Sequence, residues 1–292
     1  MPSPTQEIKN SLFQEKGIRL FVKREDLIHP VVSGNKWRKL KYNLQKAKEE
    51  GKDTILSFGG AYSNHIHALA AAAKAFGIKS IGIIRGEENF PLNDTLSYAS
   101  YCGMQLFYVS REEYKGKTEI SFINTLHKRF GSFYLIPEGG YNYEGMKGCK
   151  EIVSEIDVKY DVVCCACGTG TTFAGIISAL PKEKKAIGFP VLKGGDFLYD
   201  EIHNLLPNDK QDNWHLETGY HFGGYAKWNN ELLDFIKDFE KENGILLEQV
   251  YTGKLFFGIY DLIQKDFFKP GTSIVAVHTG GLQGKVNREQ KQ

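Results

Sequence analysis

The sequence predicts an α/β protein with two open, twisted and mostly parallel sheets that are flanked by helices. Short apolar runs alternate with helical patterns along most of the chain, which is typical of strands joined by helical crossovers. Many of these runs are apolar throughout, as expected for parallel strands that are buried on both faces. Several end in glycine followed by hydroxyl or amide residues, and open α/β sheets bind ligands at such strand ends.

The composition is that of a globular protein and argues against several classes of partner. The chain has 292 residues, of which 41% are hydrophobic and 25% are charged, as in typical globular domains. The formal net charge is +2 and the basic residues are dispersed, so we expect no nucleic acid or membrane surface as partner. The chain shows no apolar run of about 18 residues and no signal-peptide pattern, so we expect a cytoplasmic protein without a membrane span.

The predicted elements form two alternating blocks. In the first block we predict strands at residues 20–23, 54–58, 80–84, 105–109 and 133–137, and helices at residues 39–50, 65–76 and 94–102. In the second block we predict strands at residues 161–166, 185–190, 214–216 and 273–277, and helices at residues 146–156, 230–243 and 253–264. We place a domain crossing near the Gly- and Tyr-rich connection of residues 138–145, and the polar tail from Lys285 is expected to fray. The prediction is a large domain of residues 1–41 and 150–292 and a small domain of residues 42–149.

The five cysteines predict no metal site. Cys164, Cys165 and Cys167 share one apolar run, where reduced thiols act as small hydrophobic side chains. Adjacent strand residues point to opposite faces of a sheet, and the spacing matches no zinc pattern. We therefore expect reduced thiols and no bound metal.

The clearest local motif is a predicted strand that runs directly into a glycine- and threonine-rich loop and a helix start. The loop consists of Gly168, Thr169, Gly170, Thr171 and Thr172. Glycines let the backbone approach an anion closely, and N–H groups and hydroxyls at a helix N-terminus donate to phosphate. The loop lacks the Walker and dinucleotide patterns, which favours a small phosphate over a nucleotide. The alternative is a strand–helix turn in which the threonines only cap the helix.

A second motif follows the strand predicted at residues 54–58. Ser63 and Asn64 come after a glycine pair, at a strand end where ligands bind in open α/β sheets. The alternative is that both residues only cap the next helix. His65 and His67 lie at the start of that helix, and we interpret them as structural.

Lys36 is the third candidate. It follows a predicted turn at Gly34 and Asn35 and precedes a helical pattern. A lysine that is held in place and partly desolvated can be neutral near neutral pH and can react with an aldehyde. Together with a phosphate loop, this favours pyridoxal phosphate held by the Lys36 amine as a Schiff base. On its own, a lysine in a turn is also compatible with an ordinary solvated side chain.

Taken together, these motifs resemble the fold type II (tryptophan-synthase-β-like) pyridoxal phosphate enzymes, and within them the 1-aminocyclopropane-1-carboxylate deaminase and D-cysteine desulfhydrase branch. The matching segments occur in the order of the family and span most of the chain; they are residues 23–27, 33–40, 58–60, 63–65, 168–172, 251–254 and 278–281. The resemblance implies two α/β domains with the cofactor in the cleft between them, a homodimer, and a small amino acid as substrate.

The resemblance also implies roles for individual residues. Lys36 would hold the cofactor and move the proton at the substrate α-carbon, and the loop of residues 168–172 would bind the 5′-phosphate. Asn64 would contact the ring oxygen of the cofactor. Ser63 would meet the substrate carboxylate, and it matches a residue proposed as a nucleophile in the deaminase.

Within this resemblance, the identity of the substrate depends on two threonines, Thr252 and Thr279. Tyr225 and Tyr251 match the two active-site tyrosines of the family. The deaminases have a glutamate facing the pyridine nitrogen where this chain has Thr252, and a leucine where it has Thr279, which is threonine in the desulfhydrases. A carboxylate keeps the ring nitrogen protonated, as ring opening of a cyclopropane would need, whereas a neutral ring suffices when a good β-leaving group departs. Tyr62 replaces a glutamine of better-known members, which bears on the substrate pocket.

The hypothesis from the sequence is therefore a pyridoxal phosphate-dependent lyase that catalyses α,β-elimination from a small amino acid. It most resembles a D-cysteine desulfhydrase, which forms pyruvate, sulfide and ammonia. The first alternative is a 1-aminocyclopropane-1-carboxylate deaminase, which forms 2-oxobutyrate and ammonia. The second is a protein that binds the cofactor without catalysis, because fold-level resemblance alone does not establish activity.

Overall fold

The computed structural model describes residues 2–29, 31–32, 34–206 and 212–285. The fraying predicted for the polar tail concerns residues 286–292, which lie outside this part of the chain. The strands within it are β1 (Thr5–Ile8), β2 (Arg19–Lys23), β3 (Thr54–Gly60), β4 (Lys79–Arg85), β5 (Gln105–Val109), β6 (Tyr134–Ile136), β7 (Val162–Cys167), β8 (Lys185–Pro190), β9 (Trp214–Leu216) and β10 (Ser273–Val277).

Helices occur between most of these strands. They are α1 (Ser11–Lys16), α2 (Asn35–Glu49), α3 (Asn64–Phe76), α4 (Asp94–Tyr101), α5 (Arg111–Lys115), α6 (Ile120–Phe130), α7 (Tyr143–Cys149), α8 (Glu151–Ser154), α9 (Thr171–Ala179), α10 (Leu198–Leu205), α11 (Asn230–Asn243) and α12 (Thr252–Gln264). No helix in the described ranges is both long enough and apolar enough to cross a membrane.

The chain divides into two compact units, one made of the described residues of Met1–Asn35 and Cys149–Gln292 and the other of Lys36–Gly148. The first division falls between residues 35 and 36, whereas the sequence placed a domain boundary after residue 41. The second falls between residues 148 and 149, one residue before the expected position.

The first unit contains a six-stranded sheet in the order β1-β2-β10-β7-β8-β9. Only the edge pair of β1 and β2 is antiparallel among its described pairs. The central strand β7 is buried along its whole length, which explains its continuous apolar run. One of its faces packs in a core with apolar side chains of α11 and α12, including Leu232, Leu255 and Ile259.

The second unit contains a four-stranded sheet in the order β5-β4-β3-β6, and all of its strand pairs are parallel. Its central strand β3 is buried except at the terminal glycine. Leu56 and Phe58 of β3 pack with Leu126 of α6 and Phe133 in one apolar core. The two mostly parallel sheets flanked by helices confirm the predicted fold class.

The described elements differ from the predicted ones in three respects. Helix α2 begins at Asn35 rather than at residue 39, and the sequence pattern missed this because Arg38 and Lys39 are polar yet only 2% and 5% exposed. The helix predicted at residues 146–156 is two helices, α7 and α8. The pattern also missed the short elements β1 and α1, and it missed α5 and α6, whose sequences are mainly polar.

Candidate active site

The Gly/Thr loop lies between β7 and α9, in the first unit. Gly170 has a left-handed backbone conformation (φ 78°) and caps α9 without a side-chain hydrogen bond. A Cβ at Gly170 would lie 2.9 Å from a side-chain atom of Ile202, and a Cβ at Gly168 would lie 3.1 Å from the ring of Tyr251. Positions 168 and 170 therefore have little room for a side chain, and the first N–H groups of α9 have no capping side chain among the described residues. This arrangement fits a phosphate at a helix N-terminus.

The threonine hydroxyls of this loop are held in place by short hydrogen bonds. The Oγ1 atoms of Thr169 and Thr171 lie 3.0 Å apart, and the Asn35 side-chain amide donates to Thr172 Oγ1 at 2.9 Å. Because Thr172 Oγ1 accepts this bond, its own proton remains able to donate to an anion. Asn35 was not singled out from the sequence, although it belongs to the segment that carries Lys36.

The chain before Lys36 is packed against the Thr279 segment. Gly34 has φ 66°, and a Cβ there would overlap the carbonyl of Thr279. The backbone N–H of Asn35 donates to that same carbonyl at 3.3 Å. Lys36 itself is half-buried and is the second residue of α2. Only a glycine can occupy position 34, because a side chain there would displace the Thr279 backbone.

Thr279 is buried, and its backbone is held by the neighbouring His278. The Nε2 atom of His278 lies 2.7 Å from the carbonyl oxygen of Leu246, and the N–H of Gly280 donates to Nδ1 at 3.2 Å. The bond to the Leu246 carbonyl places a proton on Nε2, and Asp26 Oδ1 lies 3.5 Å from Nδ1. Asn35 therefore connects two predicted site segments, since it bonds to both Thr172 and Thr279.

Ser63 caps α3 in the second unit. Its hydroxyl oxygen accepts from the N–H of Ile66 at 3.3 Å, so the capping role considered from the sequence is present. The hydroxyl proton is not used in this bond and can still donate to a ligand. Asn64 is the first residue of α3 and is half-buried. The exposed Tyr62 precedes them, with 76% of its surface accessible.

His65, the next residue of α3, is buried and neutral. Ser57 Oγ donates to the carbonyl of Ile136 at 2.7 Å, so it must accept the proton of His65 Nε2 at 2.9 Å. Burial, together with the positive charges of Lys39 and Lys36, lowers the pKa of His65 to about 3. Lys36 therefore lies close enough to His65 to act on its charge within this unit.

Thr252 is fully buried at the start of α12 and is paired with the buried Glu248. The Glu248 backbone N–H donates to Thr252 Oγ1 at 2.9 Å, and Thr252 Oγ1 lies 3.2 Å from Glu248 Oε1. The Glu248 carboxylate also accepts from the N–H groups of Val250, Tyr251 and Thr252 at 2.6–2.8 Å. Burial raises the pKa of Glu248, and these N–H donors oppose that change. Glu248 was missed from the sequence, although a carboxylate just before a helix start is a capping signal.

Tyr225 and Tyr251 meet in the first unit. Their ring centroids lie 6.1 Å apart in an edge-to-face arrangement. Since the Tyr251 ring also lies against Gly168, both tyrosines are next to the Gly/Thr loop. The predicted residues thus fall into two groups: residues 168–172, Tyr225, Tyr251, Thr252 and Thr279 belong to the first unit, and Lys36, Ser63 and Asn64 belong to the second.

All five cysteines are buried, and none of them forms a disulfide bond. Burial raises the pKa of the Cys164 thiol, which keeps it protonated. In the described part of the chain, no group of three or more His, Cys, Asp or Glu side chains could hold a metal ion.

Comparisons with known proteins agree on the family. Residues 2–280 match the family described as "Pyridoxal-phosphate dependent enzyme". A protein of Pyrococcus horikoshii, provisionally assigned as a 1-aminocyclopropane-1-carboxylate deaminase, is 32% identical over 97% of this chain and 90% of its own length. The bifunctional mitochondrial D-cysteine desulfhydrase/1-aminocyclopropane-1-carboxylate deaminase of Arabidopsis thaliana is 32% identical over 92% of this chain and 73% of its own length. A crystal structure of an ACC deaminase homologue superposes with a TM-score of 0.81 at 31% identity, over 97% of this chain and 90% of that one.

Proposed function

The chain belongs to the pyridoxal-phosphate dependent enzymes, and we propose that it catalyses α,β-elimination from a small amino acid, with D-cysteine as the expected substrate. In that reaction D-cysteine and water give pyruvate, hydrogen sulfide and ammonia. The bound cofactor supplies an electron sink for the electron pair left when the α-proton is removed. The observation that carries the substrate choice is Thr252, an uncharged residue beside Tyr251 where a deaminase would have a carboxylate.

The residues of the chain have distinct tasks in this proposal. The N–H groups at the start of α9 and the Thr172 hydroxyl bind the phosphate, because this helix N-terminus has no side-chain cap and the Thr172 hydroxyl keeps a proton to donate. The Lys36 amine binds the aldehyde carbon and later takes the proton from the α-carbon of the substrate. The Ser63 hydroxyl donates to the substrate carboxylate, and Asn64 donates to the ring oxygen of the cofactor.

Thr252 and the two tyrosines complete the proposal. Thr252 and Thr279 would contact the cofactor ring, and a hydroxyl at the ring nitrogen would favour a neutral ring. A neutral ring suffices for D-cysteine, because its β-substituent leaves as a thiolate while the α-proton is removed. The rings of Tyr225 and Tyr251 border the substrate and exclude water from it.

A deaminase acting on 1-aminocyclopropane-1-carboxylate is the second candidate, and one observation favours it. The buried Glu248 lies 3.2 Å from the Thr252 hydroxyl, so a carboxylate is near this position although it is not on the residue itself. The assignment of the Pyrococcus protein points the same way, whereas the name of the Arabidopsis protein gives both activities. The alternative of a non-catalytic protein has no support in a family of enzymes.

Product analysis with the cofactor-loaded protein tests the proposal. D-cysteine, L-cysteine, D-serine and 1-aminocyclopropane-1-carboxylate are offered separately, and any 2-oxo acid is identified. We expect pyruvate and sulfide from D-cysteine and no product from the cyclopropane. Formation of 2-oxobutyrate from the cyclopropane would show that the substrate choice is wrong.

A lysine substitution tests the role of Lys36 in the same assay. Lys36→Ala should lose turnover and the absorbance of covalently bound cofactor. Lys46→Ala, an exposed lysine of the same helix, should keep both. If Lys36→Ala retained the absorbance of the wild-type protein, another lysine would hold the cofactor.

A further inference from the structure

A second lysine, Lys254, is buried in the first turn of α12 and points at backbone carbonyls. It is 1% exposed, and its ammonium donates to the carbonyls of His221 and Gly224 at 2.8 Å each and of Val191 at 3.3 Å. An ammonium has three N–H donors, so three carbonyls use all of them. Two of the three belong to one loop, which we define as the 221–226 loop.

The 221–226 loop has a backbone conformation that needs external support. Phe222 and Ala226 have φ values of 52° and 51°, and Gly223 and Gly224 have φ values of 93° and 125°. Non-glycine residues rarely adopt positive φ, because the Cβ then approaches the backbone closely. Phe222 packs edge-to-face on Phe257 of α12 with ring centroids 5.0 Å apart, whereas Gly223, Tyr225 and Ala226 are exposed. The bonds from Lys254 therefore cross-link to α12 the part of the loop that packing does not hold.

This loop carries Tyr225. The Tyr225 side chain is 47% exposed, and its ring meets Tyr251, which stands three residues before Lys254 at the start of α12. Tyr251 is positioned by α12 because it directly precedes the first residue of this helix. Tyr225 is positioned by the same helix through the bonds from Lys254 to the 221–226 loop.

We propose that Lys254 is a positioning residue that fixes the 221–226 loop and so places Tyr225 beside Tyr251. The proposal deepens the proposed function and rests on it, because it takes Tyr225 to border the substrate. Lys254 touches neither substrate nor cofactor in this account.

The charge of Lys254 is consistent with this role. Burial lowers the pKa of Lys254 to about 8, although the nearby Glu248 carboxylate opposes that change. The side chain is therefore still an ammonium near neutral pH, with all three donors present. A buried ammonium costs solvation free energy, whereas methionine could fill a similar space without a charge.

Limited proteolysis tests the placement of the loop without any need for turnover. Lys227 is exposed at the end of the loop, so trypsin can cleave after it when the loop opens. We expect Lys254→Met to speed cleavage after Lys227 about tenfold or more, because cleavage follows the population of the open form. Lys254→Gln, which keeps two N–H donors, should lie between Lys254→Met and the wild type, and it replaces Lys254→Met if that variant does not fold.

Lys23→Met is the matched control. Lys23 is fully buried and also donates to backbone carbonyls, those of Ser3 and Glu155, but it makes no described bond to the 221–226 loop. We expect Lys23→Met to lower stability without faster cleavage after Lys227. Equal cleavage in Lys254→Met and the wild type, or equally fast cleavage in Lys23→Met, would overturn the proposal.

Kinetics with D-cysteine test the consequence for the site. We expect Lys254→Met to raise KM about tenfold with kcat changed less than about threefold, because a misplaced contact residue weakens substrate binding. Tyr225→Ala should add little in the Lys254→Met background, because both changes remove the same contact. Full additivity of the two changes would overturn the proposal. Absence of turnover in the wild type would contradict the proposed function, and the cleavage result would still decide the placement of the loop.

Discussion

The two strand ends that carry the predicted site motifs are built alike but finish differently. In each unit a fully buried central strand runs through glycine into a helix, β7 into α9 and β3 into α3. The N-terminus of α3 is capped by Ser63, whose side chain folds back so that a Cβ at Gly59 would lie 2.7 Å from its hydroxyl. The N-terminus of α9 has Gly170 at the same position and no side-chain cap.

The difference shows which of the two helix N-termini keeps its N–H groups available for an anion. A serine cap satisfies one helix N–H within the protein and stabilises the helix. A glycine cap leaves the N–H groups and the positive end of the helix dipole to an anion. Loss of the Ser63 cap should therefore lower the free energy of unfolding, whereas changes at the N-terminus of α9 should appear mainly in the affinity for the cofactor phosphate.

The largest expected effect is on cofactor binding at α9. Gly170→Ala places a methyl group against Ile202 at a positive φ, so we expect the affinity for pyridoxal phosphate to fall about 100-fold, equivalent to about 2.7 kcal/mol. A titration of the cofactor-free variant with pyridoxal phosphate, followed by absorbance, measures this.

The matched control is Gly77→Ala. Gly77 has a similar φ of 65° at the end of α3 but has no neighbouring atom within 4 Å of its Cβ position. It should lose about 1 kcal/mol of stability and keep its cofactor affinity. An equal loss of affinity in both variants would remove the distinction between the two helices.

The next effect is a pH dependence of stability at α3, which has a titratable residue in its first turn. The pKa of His65 is lowered from 6.5 to about 3 in the folded protein. The unfolded chain therefore takes up a proton as pH falls below about 6.5 while the folded protein does not. Stability should decrease between pH 6.5 and pH 3, with a contribution of up to about 1.4 kcal/mol per pH unit.

Urea unfolding of the wild type and of His65→Gln between pH 4 and pH 7 measures this contribution. The variant should show a smaller slope of unfolding free energy against pH. His67→Gln is the comparison variant: burial also lowers the pKa of His67, but His67 is less buried than His65, so its replacement should change the slope less. Identical slopes for the wild type and His65→Gln would contradict a neutral, buried His65.

The smallest expected effect compares one hydroxyl in each loop. Ser63→Ala should lower the free energy of unfolding by about 1 kcal/mol, the usual contribution of a serine cap. Thr169→Val should lower cofactor affinity about fivefold to tenfold and change stability by less than about 0.5 kcal/mol. Denaturant unfolding of the cofactor-free proteins and cofactor titrations separate the two quantities. A similar loss of stability in both variants would contradict the distinction between the N-termini of α3 and α9.

Most strands of both sheets could be predicted from the sequence, because the central strands are continuous apolar runs. The strands at residues 185–190, 214–216 and 273–277 match β8, β9 and β10. The Gly/Thr loop was also recognisable, because its glycines and hydroxyls follow directly on a buried strand.

The remaining site residues depend on contacts between distant parts of the chain. Asn35 acts through Thr172 and Thr279, which lie more than a hundred residues away, and no local pattern indicates such a partner. In the sequence, Lys254 has the pattern of an ordinary helical lysine, and only the structure shows its three carbonyl acceptors. The start of α2 was also missed because a hydrophobicity pattern treats polar residues such as Arg38 and Lys39 as exposed, whereas both are buried.

The measurement that tests the central claim most directly compares pyridoxal phosphate with pyridoxal as ligands of the cofactor-free protein. Both carry the aldehyde that Lys36 would bind, and only the first carries the phosphate assigned to the N-terminus of α9. We predict that pyridoxal phosphate binds at least about 100-fold more tightly, because several charge-assisted hydrogen bonds depend on the phosphate. Similar affinities for the two ligands would show that the open N-terminus of α9 does not bind the phosphate.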